Sequence, residues 1–305
     1  MLPTSDTIAI IGAGSVGSAI AQSLLLRKIV ADLILVDIDT ELCNAQVQDL
    51  ADAAYLSNVR IRQGTSAEAG QSNIIVVTAG AKQRENDTRM SLIDRNYAIL
   101  ENILSSMKPI REDAILVLVA NPVDVLTYFA QKLSGLPQSQ VFGSGTLLDS
   151  IRLRAILASK LKVADTSVSA YVIGEHGDSQ CVAWSTANVH GTPYLSLFPI
   201  DEEERAKVAA ITKRKAYEII KAKGFTSYGI AAVASTICEC IVFDQRRVFP
   251  LSHWQNDFGC CLSLPAVLGR SGIVSTLPIP LDQEETSALA QSGASIKDII
   301  SKYDV

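Results

Sequence analysis

Short apolar runs alternate with amphipathic stretches along the N-terminal half of the chain. The runs are typical of strands buried on both faces of a sheet, and they lie at 8–11, 33–36, 73–78, 114–120 and 141–142, with a weaker strand at 59–62. Apolar residues recur at helical spacing over 16–24, 41–55 and 91–107, and Ser91 is the expected N-cap of the last helix. This alternation predicts an α/β fold with a doubly wound parallel sheet covered by helices on both faces.

The pattern changes from about Leu147 onwards. The segments predicted there are a helix over 147–160, strands over 168–173 and 182–189, two long helical stretches over 201–243, extended segments over 248–280 and a closing helix over 282–303. No linker or repeat separates the two halves. We therefore predict a sheet domain over 1–145 and an α+β substrate-binding and catalytic domain over 146–305, which share a cleft at the carboxyl ends of the strands.

A glycine-rich turn directly follows the first strand. Gly12, Gly14 and Gly17 have G-x-G-x-x-G spacing, which permits a tight turn, close approach of a pyrophosphate and close packing of the next helix on the strand. Alone this could be an ordinary glycine turn, but Asp37 follows at about the distance where an acidic residue accepts a ribose 2′-hydroxyl. Because no arginine follows Asp37, a 2′-phosphate would be repelled, and we expect a Rossmann-type domain that binds NAD. The residues assigned to the cofactor from this region and the next strand end are Gly12, Gly14, Ser15, Val16, Gly17, Asp37, Thr78, Ala79 and Gly80.

The composition excludes several classes of protein. Hydrophobic residues make up 48% of the 305 residues and charged residues 19%, which is typical of a globular protein. The net charge of −5 argues against a nucleic-acid or anionic-membrane partner, and the longest apolar run is too short to cross a bilayer. The six cysteines and three histidines show no metal-binding spacing, so we expect no metal. No basic segment precedes the first strand, so we expect no signal peptide, and we predict a soluble cytoplasmic protein.

Two charged segments have the residue types that recognise an anionic substrate. The stretch AKQRENDTRM after the strand at 73–78 is either a solvated loop or a lid that delivers Arg84 or Arg89 to the substrate. Asp149 and Arg152 lie three residues apart at a helix start, so both can project from one face. They form either a surface pair or a site in which Arg152 grips a carboxylate through two hydrogen bonds.

The acid–base candidate is His176, which lies in the segment IGEHGDS. A histidine that leaves a strand on a glycine-flanked loop is better placed for proton transfer than one on an apolar face. His190 and His253 have no such setting, so we expect both to be structural.

The motifs together resemble one family, the L-lactate/L-malate dehydrogenases, over nearly the whole chain. They read, in chain order, GAGSVG, TAGAKQ with DTR, ANPVD, LLDSIR, GEHGD and KGFTSYGIA, and CLSLPAVLGR resembles the family's late β-hairpin. The resemblance implies that His176 donates and accepts the proton, Asp149 orients it, Arg152 pairs with the substrate carboxylate and Arg89 polarises the carbonyl. It also implies that Asn121 holds the nicotinamide carboxamide beside the reacting oxygen, Thr226 lines the substrate pocket and Ile230 packs on the nicotinamide ring.

Within this resemblance, the position six residues before the lid arginine indicates the substrate. Glutamine at this position accompanies lactate enzymes and arginine malate enzymes, and here it is Gln83, which favours pyruvate and L-lactate. Arg84 lies next to it and could serve malate if the lid shifted by one residue; 85–87 also depart from the commoner Pro-Gly-Glu. A branched 2-hydroxy acid as substrate and a non-catalytic NAD-binding protein remain the further alternatives.

The resemblance also implies an assembly and a form of regulation. Homotetramers, or else dimers, are expected. Some bacterial relatives are activated by fructose bisphosphate through an arginine and a histidine. Arg154 matches the arginine, but Ser169 stands where the histidine is expected, so we predict weak or no activation.

Overall fold

The computed structural model describes residues 4–81 and 88–303, with the side chains of residues 4, 5, 56 and 89 left aside. The strands are β1 (Thr4–Ile11), β2 (Val30–Val36), β3 (Arg60–Gln63), β4 (Ile74–Val77), β5 (Ile115–Leu118), β6 (Val141–Gly143), β7 (Val168–Ser169), β8 (Val172–Ile173), β9 (Cys181–Val182), β10 (Asn188–Val189), β11 (Thr192–Pro193), β12 (Arg247–Gln255), β13 (Cys260–Gly269) and β14 (Gly272–Thr276). The helices are α1 (Ser15–Arg27), α2 (Thr40–Ala53), α3 (Ser66–Gly70), α4 (Arg89–Ser106), α5 (Val123–Ser134), α6 (Leu147–Leu161), α7 (Tyr194–Leu197), α8 (Glu202–Lys223), α9 (Tyr228–Val242) and α10 (Gln283–Ile300).

A nine-stranded sheet organises the molecule, in the order β14-β13-β12-β6-β5-β4-β1-β2-β3. The six strands from β6 to β3 pair in parallel, and the chain order reverses between β1 and β4. In an open sheet of this kind, ligands bind in the crevice outside the carboxyl ends of the strands at that reversal. The predicted doubly wound parallel sheet is therefore confirmed.

The two faces of the sheet are buried in separate cores, as the apolar runs predict. Ile8 and Ile10 of β1 point into one core, which contains residues of α1 and α9. Ala9 and Ile11 point into the other, which contains residues of α4, α5 and α10. Successive side chains of a strand point to opposite faces, so a strand covered on both sides must be apolar at every position.

The C-terminal extended segment lies elsewhere than its pattern alone suggests. Strands β12, β13 and β14 pair antiparallel with one another and join the large sheet next to β6, through the pairing of Ser252 with Gly143. The sheet therefore continues from the first half of the chain into the second, because the C-terminal hairpin covers the edge that β6 would otherwise expose. The strands expected over 168–173 and 182–189 are shorter than predicted and belong to two small sheets, and a 3₁₀ turn at Trp184–Thr186 interrupts the second of them.

The start of α4 differs from the prediction by one turn. Thr88, and not Ser91, is the N-cap: the Thr88 hydroxyl accepts the Ser91 N–H at 3.1 Å, and the Ser91 hydroxyl donates to the Thr88 carbonyl at 2.9 Å. Both residue types cap helices well, so propensity could not choose between them. The helix therefore begins at Arg89.

The cysteines behave as small apolar residues. All six are free, and all except Cys181 are buried. Burial raises the pKa of Cys238 and Cys260 to about 12, so both remain neutral thiols. Over 4–81 and 88–303, no cluster of metal-ligating side chains is present, and no helix has the length and apolarity needed to span a bilayer.

His253 is a buried neutral histidine in β12. Its Nδ1–H donates to the Leu251 carbonyl at 2.8 Å, and its Nε2 lies 2.7 Å from the Thr276 hydroxyl, which donates to it. Burial lowers the pKa of His253 below 6.5, and the hydrogen bond to Leu251 offsets only part of this effect. The expected structural role of His253 fits this burial.

Acidification should therefore destabilise the fold through His253. Below about pH 6.5 the unfolded histidine takes up a proton that the folded one resists, so the free energy of unfolding falls by up to about 1.4 kcal/mol per pH unit from this group. In urea titrations between about pH 7 and pH 5, His253→Asn should reduce that dependence. His190→Asn is the matched control, because His190 lies exposed in a turn with a φ of 49°, which asparagine tolerates. Equal slopes for His253→Asn and wild type would contradict the linkage.

Candidate active site

The glycine-rich turn fits a bound pyrophosphate. Gly12 has a φ of +104°, and a Cβ there would lie 2.7 Å from the Thr78 hydroxyl oxygen. A Cβ on Gly17 would lie 1.8 Å from the Gly12 carbonyl oxygen, so only glycine lets α1 pack this closely. A Cβ on Gly14 would meet no atom within 4 Å, and Gly14 caps α1 without a side-chain hydrogen bond. The first N–H groups of α1 are thus available to an anion approaching from the open side.

Asp37 directly follows β2 beside this turn, in the geometry expected of a ribose acceptor. One carboxylate oxygen accepts the Ala13 N–H at 2.6 Å and the other accepts the Asp39 N–H at 2.9 Å. These two main-chain donors fix the carboxylate, and each oxygen keeps a lone pair for a hydroxyl. The neighbouring Ile38 is 99% exposed and lines the same cleft, where it offers an apolar wall for a base.

A single cleft of about 1660 Å³ follows the carboxyl ends of the parallel strands. Its volume exceeds that of sites for drug-sized ligands, as a dinucleotide with a second small substrate requires. Among its lining residues are all of the glycine-turn positions and, from the other assigned residues, Asp37, Thr78, Ala79, Gly80, Asn121, Arg152, His176, Thr226 and Ile230. Gln83 and Arg84 lie outside the described residues, and so does the side chain of Arg89.

His176, whose side chain is 27% exposed, and the buried Asp149 form an acid–base pair at this cleft. His176 follows β8 through Gly174, whose φ of +87° turns the chain towards the cleft. The Nδ1–H of His176 donates to an Asp149 carboxylate oxygen at 2.7 Å, which leaves Nε2 as the nitrogen for substrate. Burial lowers the pKa of His176, but the charge and hydrogen bond of Asp149 outweigh this effect and raise its pKa above 6.5. The arrangement therefore favours an imidazolium that can donate a proton.

Arg152 lies beside the pair of His176 and Asp149. It lies one turn after Asp149 on α6, and its guanidinium donates to the second Asp149 carboxylate oxygen at 3.2 Å. Asp149 is 2% exposed and Arg152 7% exposed, so the surface-pair alternative is wrong. Of the described residues that line the cleft, Arg152 is the only arginine or lysine. It is thus the described group suited to a substrate carboxylate.

Asn96 is a contributor to the site that sequence reasoning missed. Its side-chain oxygen accepts the Ala81 N–H at 2.6 Å, and its amide donates to the Asn121 carbonyl at 2.7 Å. The buried Asn96 thus ties the segments after β4 and β5 together. No local signal identifies an asparagine in the middle of a helix as such a bridge. Ser144 and Leu148 also line the cleft and were missed, although Ser144 directly follows β6, and its position at a strand end could have indicated it.

The comparisons with known proteins agree with this geometry. Residues 6–143 match the NAD binding domain of lactate/malate dehydrogenase, and residues 146–304 match the α/β C-terminal domain of the same family. The chain is 44% identical over 292 residues to L-lactate dehydrogenase A of Rhizopus oryzae, covering 96% of this chain and 91% of that one. It is 38% identical to an L-lactate dehydrogenase of Acetivibrio thermocellus, covering 98% of this chain and 97% of that one.

Solved structures give the same result. A minor L-lactate dehydrogenase from Enterococcus mundtii, solved with ligands bound, superposes with a TM-score of 0.94 at 32% identity over 98% of both chains. A lactate dehydrogenase from a deep-sea metagenome library superposes with a TM-score of 0.94 at 31% identity over 100% of both chains. The match to the NAD binding domain confirms NAD as the cofactor. The chain belongs to the lactate/malate dehydrogenase family.

Proposed function

We propose that this protein is an NAD-dependent L-lactate dehydrogenase, which reduces pyruvate to L-lactate with NADH and catalyses the reverse reaction. The observation that carries the proposal is the 2.7 Å pair of His176 and Asp149, with Arg152 beside it, at a cleft that the glycine-rich turn also lines. The relatives at 44% and 38% identity are named L-lactate dehydrogenases, which supports pyruvate as the substrate.

The side chains divide the chemistry among them. NADH, when bound, supplies the hydride to the carbonyl carbon. The carbonyl oxygen then gains negative charge, and His176 delivers a proton to it from Nε2 while Asp149 stabilises the imidazolium. Arg152 holds the substrate carboxylate through two parallel hydrogen bonds, which fixes the carbonyl relative to the histidine.

Three further residues have roles that follow from the family. Asn121 and Thr226 line the same cleft as His176, and we propose that they contact the nicotinamide carboxamide and the substrate. Arg89 begins α4, and we propose that its guanidinium polarises the carbonyl when substrate is bound. A cation at the developing alkoxide complements the proton from His176.

The choice between pyruvate and oxaloacetate depends on cations near the variable end of the substrate. The described lining offers Arg152 for one carboxylate, and Gln83 is the sequence feature that favours a substrate without a second one. A second carboxylate left unpaired in a closed site would cost about 2–5 kcal/mol. L-malate dehydrogenase is the second candidate, because Arg84 adjoins Gln83.

Parallel assays of NADH oxidation test this proposal. Pyruvate, oxaloacetate and a branched 2-oxo acid are compared under the same conditions. We expect kcat/KM to be highest for pyruvate, by at least about tenfold. A higher kcat/KM with oxaloacetate would make the protein a malate dehydrogenase, and a higher value with the branched acid would require a roomier pocket.

We further propose a domain division at residue 145, a homotetrameric or dimeric assembly and a cytoplasmic location. The two family matches support the division, since one ends at 143 and the other begins at 146. Free cysteines are typical of a reducing compartment. Ile151, which lies on α6 beside the catalytic residues, is 39% exposed in the single chain, and a partner subunit would cover it. Light scattering after size-exclusion chromatography measures the assembly.

Fructose bisphosphate should activate the enzyme weakly or not at all. The Arg154 side chain donates to the Ala170 carbonyl at 2.9 Å, and its guanidinium lies 5.3 Å from the centre of the Tyr171 ring. Ser169 adds no positive charge. We expect the KM for pyruvate to change by less than about twofold on adding the sugar phosphate, both in wild type and in Arg154→Gln. A large fall in KM in wild type that is lost in Arg154→Gln would contradict this prediction.

A further inference from the structure

Asp124 is a buried carboxyl group behind the catalytic histidine. It is the second residue of α5 and is 2% exposed. One of its carboxylate oxygens accepts the main-chain N–H of His176 at 2.7 Å, across 52 residues of sequence. Two carboxyl groups thus hold His176 from two sides, Asp149 at the ring and Asp124 at the main chain.

The other oxygen of Asp124 has no hydrogen-bond partner among the described residues, and neither has the buried hydroxyl of Ser252. A buried polar atom without a partner destabilises the fold, so an acid retained at such a position calls for an explanation. Ser252 is close enough to lower the pKa of Asp124, although burial, the larger effect, raises it. Ser252 lies on β12 opposite Gly143, where a Cβ on Gly143 would be 3.2 Å from the Ser252 Cβ.

The groups that face Asp124 leave His176 as its main cationic partner. Cys260 and Cys261 on β13 are close enough for the charge of Asp124 to raise the pKa of both thiols, which are neutral. The charge of Lys297 on α10 lowers the pKa of Cys260, and the charge of Arg152 on α6 lowers the pKa of His176. The N-terminus of α5 favours a negative charge in its first turn, where Asp124 lies.

We propose that Asp124 is a second positioning residue for His176, which fixes the main chain of the histidine loop and adds its negative charge to that of Asp149. The hydrogen bond from the His176 main-chain N–H to Asp124 fixes the position of the histidine loop relative to α5. The negative charge of Asp124 favours the imidazolium that donates the proton. This role rests on the proposed function only where turnover is measured. The two parts of the role separate experimentally, because asparagine keeps an acceptor oxygen but loses the charge, and alanine loses both.

The charge is tested by NMR titration of the histidine ring protons, which needs no substrate. The three histidines give few signals, and His176→Asn identifies the signal of His176. In Asp124→Asn, we expect the titration midpoint of His176 to fall by at least about 0.5 pH unit. The matched control is Asp6→Asn, since Asp6 is also a buried carboxyl with one unpartnered oxygen but lies near the start of β1. A midpoint that moves equally in both variants, or in neither, would overturn the proposal.

The positioning is tested by turnover with pyruvate. At a pH below the midpoint, Asp124→Asn should keep kcat within about threefold of wild type, whereas Asp124→Ala should lose at least about tenfold in kcat with an NADH Kd within about threefold. If kcat of Asp124→Ala stays within about threefold of that of Asp124→Asn, the main-chain hydrogen bond does not position the histidine. If Asp124→Ala does not fold, the titration of Asp124→Asn decides by itself. A wild type that does not reduce pyruvate would refute the proposed function but leave the titration result intact.

Discussion

Replacing His176 with asparagine should lower kcat for pyruvate reduction by about two to four powers of ten. The loss follows because asparagine cannot supply a proton to the alkoxide, and because the charge that Asp149 stabilises disappears with the imidazole. The affinity for NADH should change little, since the glycine-rich turn and Asp37, which we assign to the cofactor, are left unaltered. Stopped-flow turnover and fluorescence titration of NADH measure the two quantities separately.

The pH profile gives an independent check on His176. The charge and hydrogen bond of Asp149 raise the pKa of His176 above 6.5 against the effect of burial, so the imidazolium persists to a higher pH than in a free histidine. Pyruvate reduction by the wild type should decline as the pH rises through that raised pKa. His190→Asn is the control, because His190 is exposed in a turn and should leave the profile unchanged. A near wild-type rate in His176→Asn would refute the acid–base assignment.

Replacing Gln83 with arginine should shift the ratio of kcat/KM values towards oxaloacetate by roughly a thousandfold or more. The resemblance puts this residue against the variable end of the substrate, where a guanidinium would pair with the second carboxylate of oxaloacetate. With pyruvate, the same guanidinium would be left without a partner in a closed site, which disfavours binding. Both effects act in one direction. Gln83 lies outside the described residues, so this prediction rests on the sequence.

The control for this change is Arg84→Gln. If Gln83 is the selecting position, Arg84→Gln should alter the preference by less than about threefold. Loss of oxaloacetate reduction in Arg84→Gln, in an enzyme that prefers oxaloacetate from the start, would place the selecting position one residue later. The protein would then be a malate dehydrogenase.

Local sequence patterns predicted correctly those features whose residues are close together both in the chain and in space. The apolar runs predicted the parallel strands because a strand covered on both faces must be apolar throughout. The spacing of Gly12, Gly14 and Gly17 predicted a close turn, and Gly17 proves to leave no room for a Cβ. Asp149 and Arg152 were predicted to share a helix face, since residues three apart lie one above the other, and their hydrogen bond of 3.2 Å confirms this.

The sequence by itself thus determined the fold class, the cofactor and the pairing of Asp149 with Arg152. Only the tertiary structure decided that β12–β14 join the edge of the first half's sheet, that Asn96 bridges two strand ends and that Asp124 reaches His176. These contacts join residues that are not neighbours in the chain. The two polar contacts are made by asparagine and aspartate, which are common in loops and helices, so residue type alone could not indicate them. Hydrophobic periodicity specifies which face of an element is buried, but the partner of a buried polar group depends on how the elements pack.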